Sequence, residues 1–153
     1  MSIMWQYLNK TSAAEKALED YGAMKDIIEN TDERIKSIYE KMSGVGSPVM
    51  SDMPKGPHNP QATEDRYIKY IDEIDVAKER YRQALEYMDW MDPALASLND
   101  DERAVLDMYY WSSYRQRGGA IRSIMDYFQI EQSSAYNKKN RALAKLTLLL
   151  YGK

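Results

Sequence analysis

Apolar side chains recur at helical spacing through most of the chain. From residue 2 to about residue 42, Ala14, Ala17, Tyr21, Met24, Ile28, Thr31, Ile35, Ile38 and Met42 follow one another by threes and fours. That is the seam of a coiled-coil-like helix, held for roughly four heptads. Gly22 and Thr31 weaken it locally, and Glu, Asp and Lys fill the solvated flanks. The breakers Ser43-Gly44-Val45-Gly46-Ser47-Pro48 end this helix. A second stripe over residues 63–91 runs Tyr67, Tyr70, Ile74, Ala77, Tyr81, Ala84, Met88 and Met91, widened by Ile71 and Leu85. Asp92-Pro93 is expected to end that helix, because a residue before proline is pushed out of helical geometry. Two such stripes can close on one another as an antiparallel hairpin, within one chain or between two.

Three shorter helices are predicted beyond residue 97. Asn99 and Glu102 have capping-box spacing, and Val105, Leu106, Tyr109 and Tyr110 follow in a helix that fades by residues 112–117. After the hinge Gly118-Gly119, a helix over 120–127 turns Ile121, Ile124 and Met125 inward. Phe128, Gln129, Ile130 and Glu131 leave only a tight corner before a last helix over 132–150. A short helix, a brief turn and a second helix is the helix-turn-helix layout. At about 100° per residue, Ala135, Ala142, Leu146 and Leu149 share one arc of the last helix, flanked by Leu143 and Leu150. Ser133, Asn137, Asn140 and Ala144 lie opposite. The expected fold is therefore all-α. A long coiled-coil-like helical hairpin occupies 1–96, interrupted by a Pro/Gly linker at 43–61, and a three-helix helix-turn-helix domain occupies 97–153.

Composition supports long helices: 13 Tyr, 10 Met and one Phe in 153 residues, with four of the five prolines confined to positions 48–60. The absence of Cys excludes disulfides, thiolate metal sites and cysteine nucleophiles. The one histidine, His58, lies in the linker and reads as a solvated loop residue. Asp72, Asp75 and Glu79 share a helix side, but with no further ligand beside them they read as a solvated acidic face. No cofactor, metal or enzymatic activity is expected, since no acid, base or nucleophile constellation is recognisable. No apolar run spans a membrane, and MSIMWQYLNK lacks the charged start and apolar stretch of a secretory signal. The expected location is the cytoplasm.

Charge then separates the two ends. Residues 1–96 carry 12 Lys/Arg against 18 Asp/Glu, a net of −6, whereas residues 97–153 carry 9 against 6, a net of +3. From Gln132 onward no acid occurs at all. An acidic body with a basic end suits a chain whose one end meets a polyanion. On the last helix, Gln132, Ser133, Ser134, Tyr136, Asn137 and Asn140 are the expected base-facing residues. Asn pairs bidentately with adenine, and hydroxyls bond bases or phosphates. Arg117, Arg122, Lys138, Lys139, Arg141 and Lys145 are the expected phosphate contacts.

Residues 98–152, followed by Lys153, resemble region 4 of sigma-70-type factors. They are more similar still to the sigma-region-4-like domain of phage and prophage regulators of the ArpU/RinA kind. The matching pieces are Asp101-Glu102-Arg103 with Val105-Leu106, Ile124 to Ile130, Ser133-Ser134-Ala135-Tyr136, Arg141-Ala142-Leu143 with Lys145-Leu146, and Leu150-Tyr151-Gly152. Three positions depart from the pattern. Met125 stands where a small residue is usual, Gln129 replaces a frequent turn glycine, and Lys138 falls at the margin of the buried arc. The resemblance implies a regulator that binds promoter or operator DNA in a bacterial host. Its partners would be double-stranded DNA and a factor such as RNA polymerase, and its N-terminal hairpin would pair subunits, most simply as a dimer. A small-terminase-like packaging protein and a helical interaction module that binds no DNA are the alternatives.

Overall fold

The computed structural model describes residues 3–44, 60–111 and 119–152. The Met53-Pro54 stretch, His58, Arg117 and Gly118 lie outside the described residues. Every regular element among the described residues is helical. A short 3-10 turn (Ile3–Tyr7) precedes α1 (Lys10–Glu19), α2 (Tyr21–Gly44), α3 (Pro60–Ala96) and α4 (Asp100–Leu106). A π-helical turn over Asp107–Trp111 continues α4, and α5 (Ala120–Phe128) and α6 (Gln132–Tyr151) follow. Among the described residues no helix is long and apolar enough to cross a membrane.

The chain forms two compact units. One joins Met1–Met24 to Tyr87–Lys153 and the other is Lys25–Glu86. The N-terminal helix α1 thus belongs with the C-terminal elements, a grouping different from a boundary at residues 96/97.

Two features of the sequence pattern take another form in the structure. The single helix expected over residues 2–42 is divided at Asp20, which separates α1 from α2. The carbonyls that an unbroken helix would use there have other donors: Tyr87 Oη donates to the Ala17 carbonyl, and Trp111 Nε1 to the Leu18 carbonyl at 2.8 Å. Those two rings, distant in sequence, satisfy the groups that a break would otherwise leave orphaned. Conversely, α3 does not end at Asp92-Pro93 but carries Pro93 inside and runs on to Ala96. An interior proline costs about 3 kcal/mol. Burial of Met91, Ala94 and Leu95 around it, with Leu98 just beyond, offsets that cost. The helix then closes on bonds from the Ser97 backbone N–H and hydroxyl to the Pro93 carbonyl, at 3.1 and 2.9 Å.

In the first unit, Ala14 and Leu18 of α1 join Met91, Leu98, Val105, Leu106, Ile124, Ala135, Ala142, Leu143 and Leu146 in one apolar core. Asn99 caps α4 with the full reciprocal box: its side chain accepts from Glu102 N–H at 2.8 Å, and its own N–H reaches Glu102 Oε1 at 3.2 Å. The π turn aims Tyr110 and Trp111 at α1, where Tyr110 Oη donates to Glu15 at 2.8 Å. Burial, and then the Glu15 carboxylate, push the Tyr110 phenol well above its ordinary range, so it stays a donor.

In the second unit the buried residues, Thr31 and Ile38 on α2 and Ile74, Ala77 and Ala84 on α3, all belong to the expected stripes, but Tyr67, expected at the head of the α3 stripe, is exposed. Thr31 fits an apolar seam because its hydroxyl donates to the Ile27 carbonyl of its own helix. Ile71 and Leu85, expected to widen the α3 stripe, are instead 48% and 40% exposed.

Candidate nucleic-acid interface

The corner between α5 and α6 is three residues long, Gln129 to Glu131. Gln129 adopts φ 54°, ψ 52°, the left-handed conformation that glycine takes most cheaply. It closes α5 nonetheless, because its N–H and that of Ile130 (3.0 Å) both bond the Met125 carbonyl, while its side-chain amide donates to the Asp126 carbonyl at 2.6 Å. Glu131 is the extended N-cap of α6 and makes no side-chain cap bond.

Helix α6 packs on α1, α4 and α5. Ala135, Ala142, Leu143 and Leu146 are buried, as the arc predicts, and so is Thr147. Leu149, expected inside, is 43% exposed. The opposite face carries Ser133, Asn137, Asn140 and Ala144, all exposed. Gln132, Ser134 and Tyr136 are exposed beside them. All six expected base-facing residues therefore share one open half-helix.

The five described residues among the expected phosphate contacts divide into three groups. Arg122 and Arg141 are exposed on α5 and α6, and Arg117 lies outside the described residues. Lys138 and Lys139 are half-buried, with their ammonium groups 4.4 Å above the Phe128 ring and 4.6 Å above the Tyr109 ring. The Lys138 stem thus packs at the core margin while its charge rests on an aromatic face. Lys145 is paired with Glu102 at 2.8 Å. Partial burial alone would raise the Glu102 carboxyl, but the Lys145 ammonium and the Asn99 N–H outweigh it and hold its pKa below the ordinary value.

The spatial arrangement also brings acids to the edge of this face. Asp126 and Glu131 line the same concavity as Ser134, together with Met125, Gln129 and Ile130. On the other side of the turn, Asp101 and Glu102 border a cleft shared with Lys138 and Arg141. The surface is accordingly mixed: a neutral hydrogen-bonding stripe along α6, with carboxylates at its N-terminal corner and beside its cations. Glu102 was visible as a cap residue, but its second role as partner of Lys145, 43 positions away, had no local signal. Among the described residues no cluster of His, Asp or Glu is placed to hold a metal ion. No family model matches the chain, and neither a curated protein nor a solved structure matches it.

Proposed function

We propose that the chain is a sequence-specific DNA-binding transcriptional regulator of phage or prophage type. In this reading α4, α5 and α6 act as a helix-turn-helix domain and the N-terminal half of α6 enters the major groove. Ser133, Tyr136, Asn137 and Asn140 approach bases, with Gln132 and Ser134 at the entering end. Arg122, Arg141, Lys138, Lys139 and Arg117 neutralise phosphates, and Lys145 does so by exchanging Glu102 for a phosphate oxygen. The helices α2 and α3 act as a hairpin that pairs subunits or meets a partner such as RNA polymerase in the bacterial cytoplasm.

The observation that carries this reading is the exposure of Ser133, Asn137 and Asn140 on an acid-free helix anchored by its opposite face. Selection of bound sequences from random duplex DNA tests it. A defined consensus is expected, with log K falling by about 0.9 per log unit of salt for each phosphate neutralised. Failure to enrich any sequence would refute specificity. A second reading, an interaction module that binds no DNA, draws on Lys138, Lys139 and Lys145 being engaged within the chain and on Asp126 and Glu131 beside Ser134. Absence of any mobility shift at low salt would favour it.

A further inference from the structure

The second unit contains a cleft of about 360 Å³ lined by Asp26, Ile27, Asn30, Thr31 and Arg34 of α2 and by Ala77 and Arg80 of α3. Thr31 and Ala77 are buried and Ile27 is half-buried, while Arg34 and Arg80 are exposed. Each helix thus brings one guanidinium to a partly apolar cleft.

Neither arginine has a helical partner. The positions three and four residues away from Arg34 are Asn30, Thr31, Ser37 and Ile38, and those around Arg80 are Val76, Ala77, Gln83 and Ala84. Neighbouring bases are placed differently. Lys25, Lys36, Lys69 and Lys78 each have an acid at such a spacing, and Arg82 is clamped by Glu79 at 2.7 Å and Glu86 at 3.0 Å. Among the described residues no ion pair joins Arg34 or Arg80 to any acid, Asp26 in the same cleft included. Two guanidinium groups that form no ion pair thus line one cleft, with a single carboxylate, Asp26, on the same wall. Their planar forks suit the oxygens of a carboxylate or phosphate. The Asn30 amide adds donors, whereas the Thr31 hydroxyl already donates to the Ile27 carbonyl. A volume of this size is within the range of small-molecule sites.

We propose that this cleft binds a small organic oxyanion, its phosphate or carboxylate held by Arg34 and Arg80 and its apolar body resting on Ile27 and Ala77. Calorimetric titration of the full chain with inorganic phosphate and with benzoate, at ionic strength fixed by potassium chloride, tests the site. Saturable binding of either probe is expected, and the probe that binds identifies the head group. Arg34→Gln and Arg80→Gln should each weaken it about tenfold or more. Arg34→Lys, which keeps the charge and loses the fork, should also weaken it. Arg66→Gln, at another arginine without a helical acid partner but outside the cleft, should leave it unchanged, as should Lys138→Gln with Lys139→Gln. Three results would overturn the proposal: no saturation by either probe, loss on the Lys138/Lys139 change with none at Arg34 and Arg80, or equal loss at Arg66. Both arginines are exposed, so the variants should keep the helical circular dichroism of the parent.

Discussion

The two halves of α6 share an unusual composition, with no acid in either, yet the structure uses them differently. The second half carries Ala142, Leu143, Leu146 and Thr147 buried, and it is tied at its end by the Trp90 indole, which donates to the Leu150 carbonyl at 3.3 Å and lies edge-on to Tyr151. There, missing acids need no functional explanation: those four residues are buried, and Leu148 and Leu149 are apolar where they are exposed. The first half exposes Gln132, Ser133, Ser134, Tyr136, Asn137 and Asn140 to solvent. Burial cannot account for the lack of acids on that face. Acid-free composition is informative only where side chains are also exposed.

Substitutions in each half in turn separate anchoring from binding. Leu146 is fully buried, and Leu146→Ala should lower stability by about 2–5 kcal/mol in denaturant unfolding, the range for cavity-forming leucine truncations. A loss under about 1 kcal/mol would show that the second half is not anchored as described. In the first half, Asn137→Ala and Asn140→Ala should change stability by no more than about 0.5 kcal/mol. Each should nevertheless remove about 1–3 kcal/mol of discrimination between a selected duplex and its mismatched variants.

Acid titration sharpens the boundary between the halves, where Lys145 meets Glu102. The folded state holds the Glu102 carboxyl below the ordinary glutamate value near 4.5. The stability it contributes is therefore present above that value and is lost as pH falls through the lower folded value. Glu102→Gln keeps the capping geometry and removes the charge, so it should flatten that part of the stability–pH curve, by less than about 1 kcal/mol. An unchanged acid limb would mean that the pair contributes nothing. The smallest effect is expected at the turn. Gln129→Gly relieves the left-handed strain but loses the side-chain bond to Asp126, and a net stabilisation of about 0.5 kcal/mol or less should appear in thermal unfolding.

Much of this was legible in the sequence because it is local. Periodicity located α5 and α6 closely and placed helices over α2 and α3, though it merged α1 with α2 and stopped α3 at Asp92; the Asn99–Glu102 spacing announced its capping box, and the arc through Ala135, Ala142 and Leu146 marked the buried side of α6. What sequence missed came from contacts between distant segments. The break at Asp20 depends on Tyr87 and Trp111 reaching back to the Ala17 and Leu18 carbonyls. The passage of α3 through Pro93 depends on a core assembled from four other helices. At the candidate interface, helical spacing grouped Ser133, Asn137 and Asn140, but it had no means of showing Lys145 on Glu102, Lys139 over Tyr109, or Asp126 beside Ser134. A helical wheel reports which side a residue is on; the neighbours on that side belong to tertiary structure.

The central claim is that the exposed half of α6 reads bases. Its most direct test is the affinity ratio between a selected duplex and a scrambled one, measured at fixed salt for the parent and for the Asn137→Ala, Asn140→Ala double variant. The ratio should fall by at least about tenfold while unfolding stability is preserved. An unchanged ratio in a folded double variant would contradict base reading by this face.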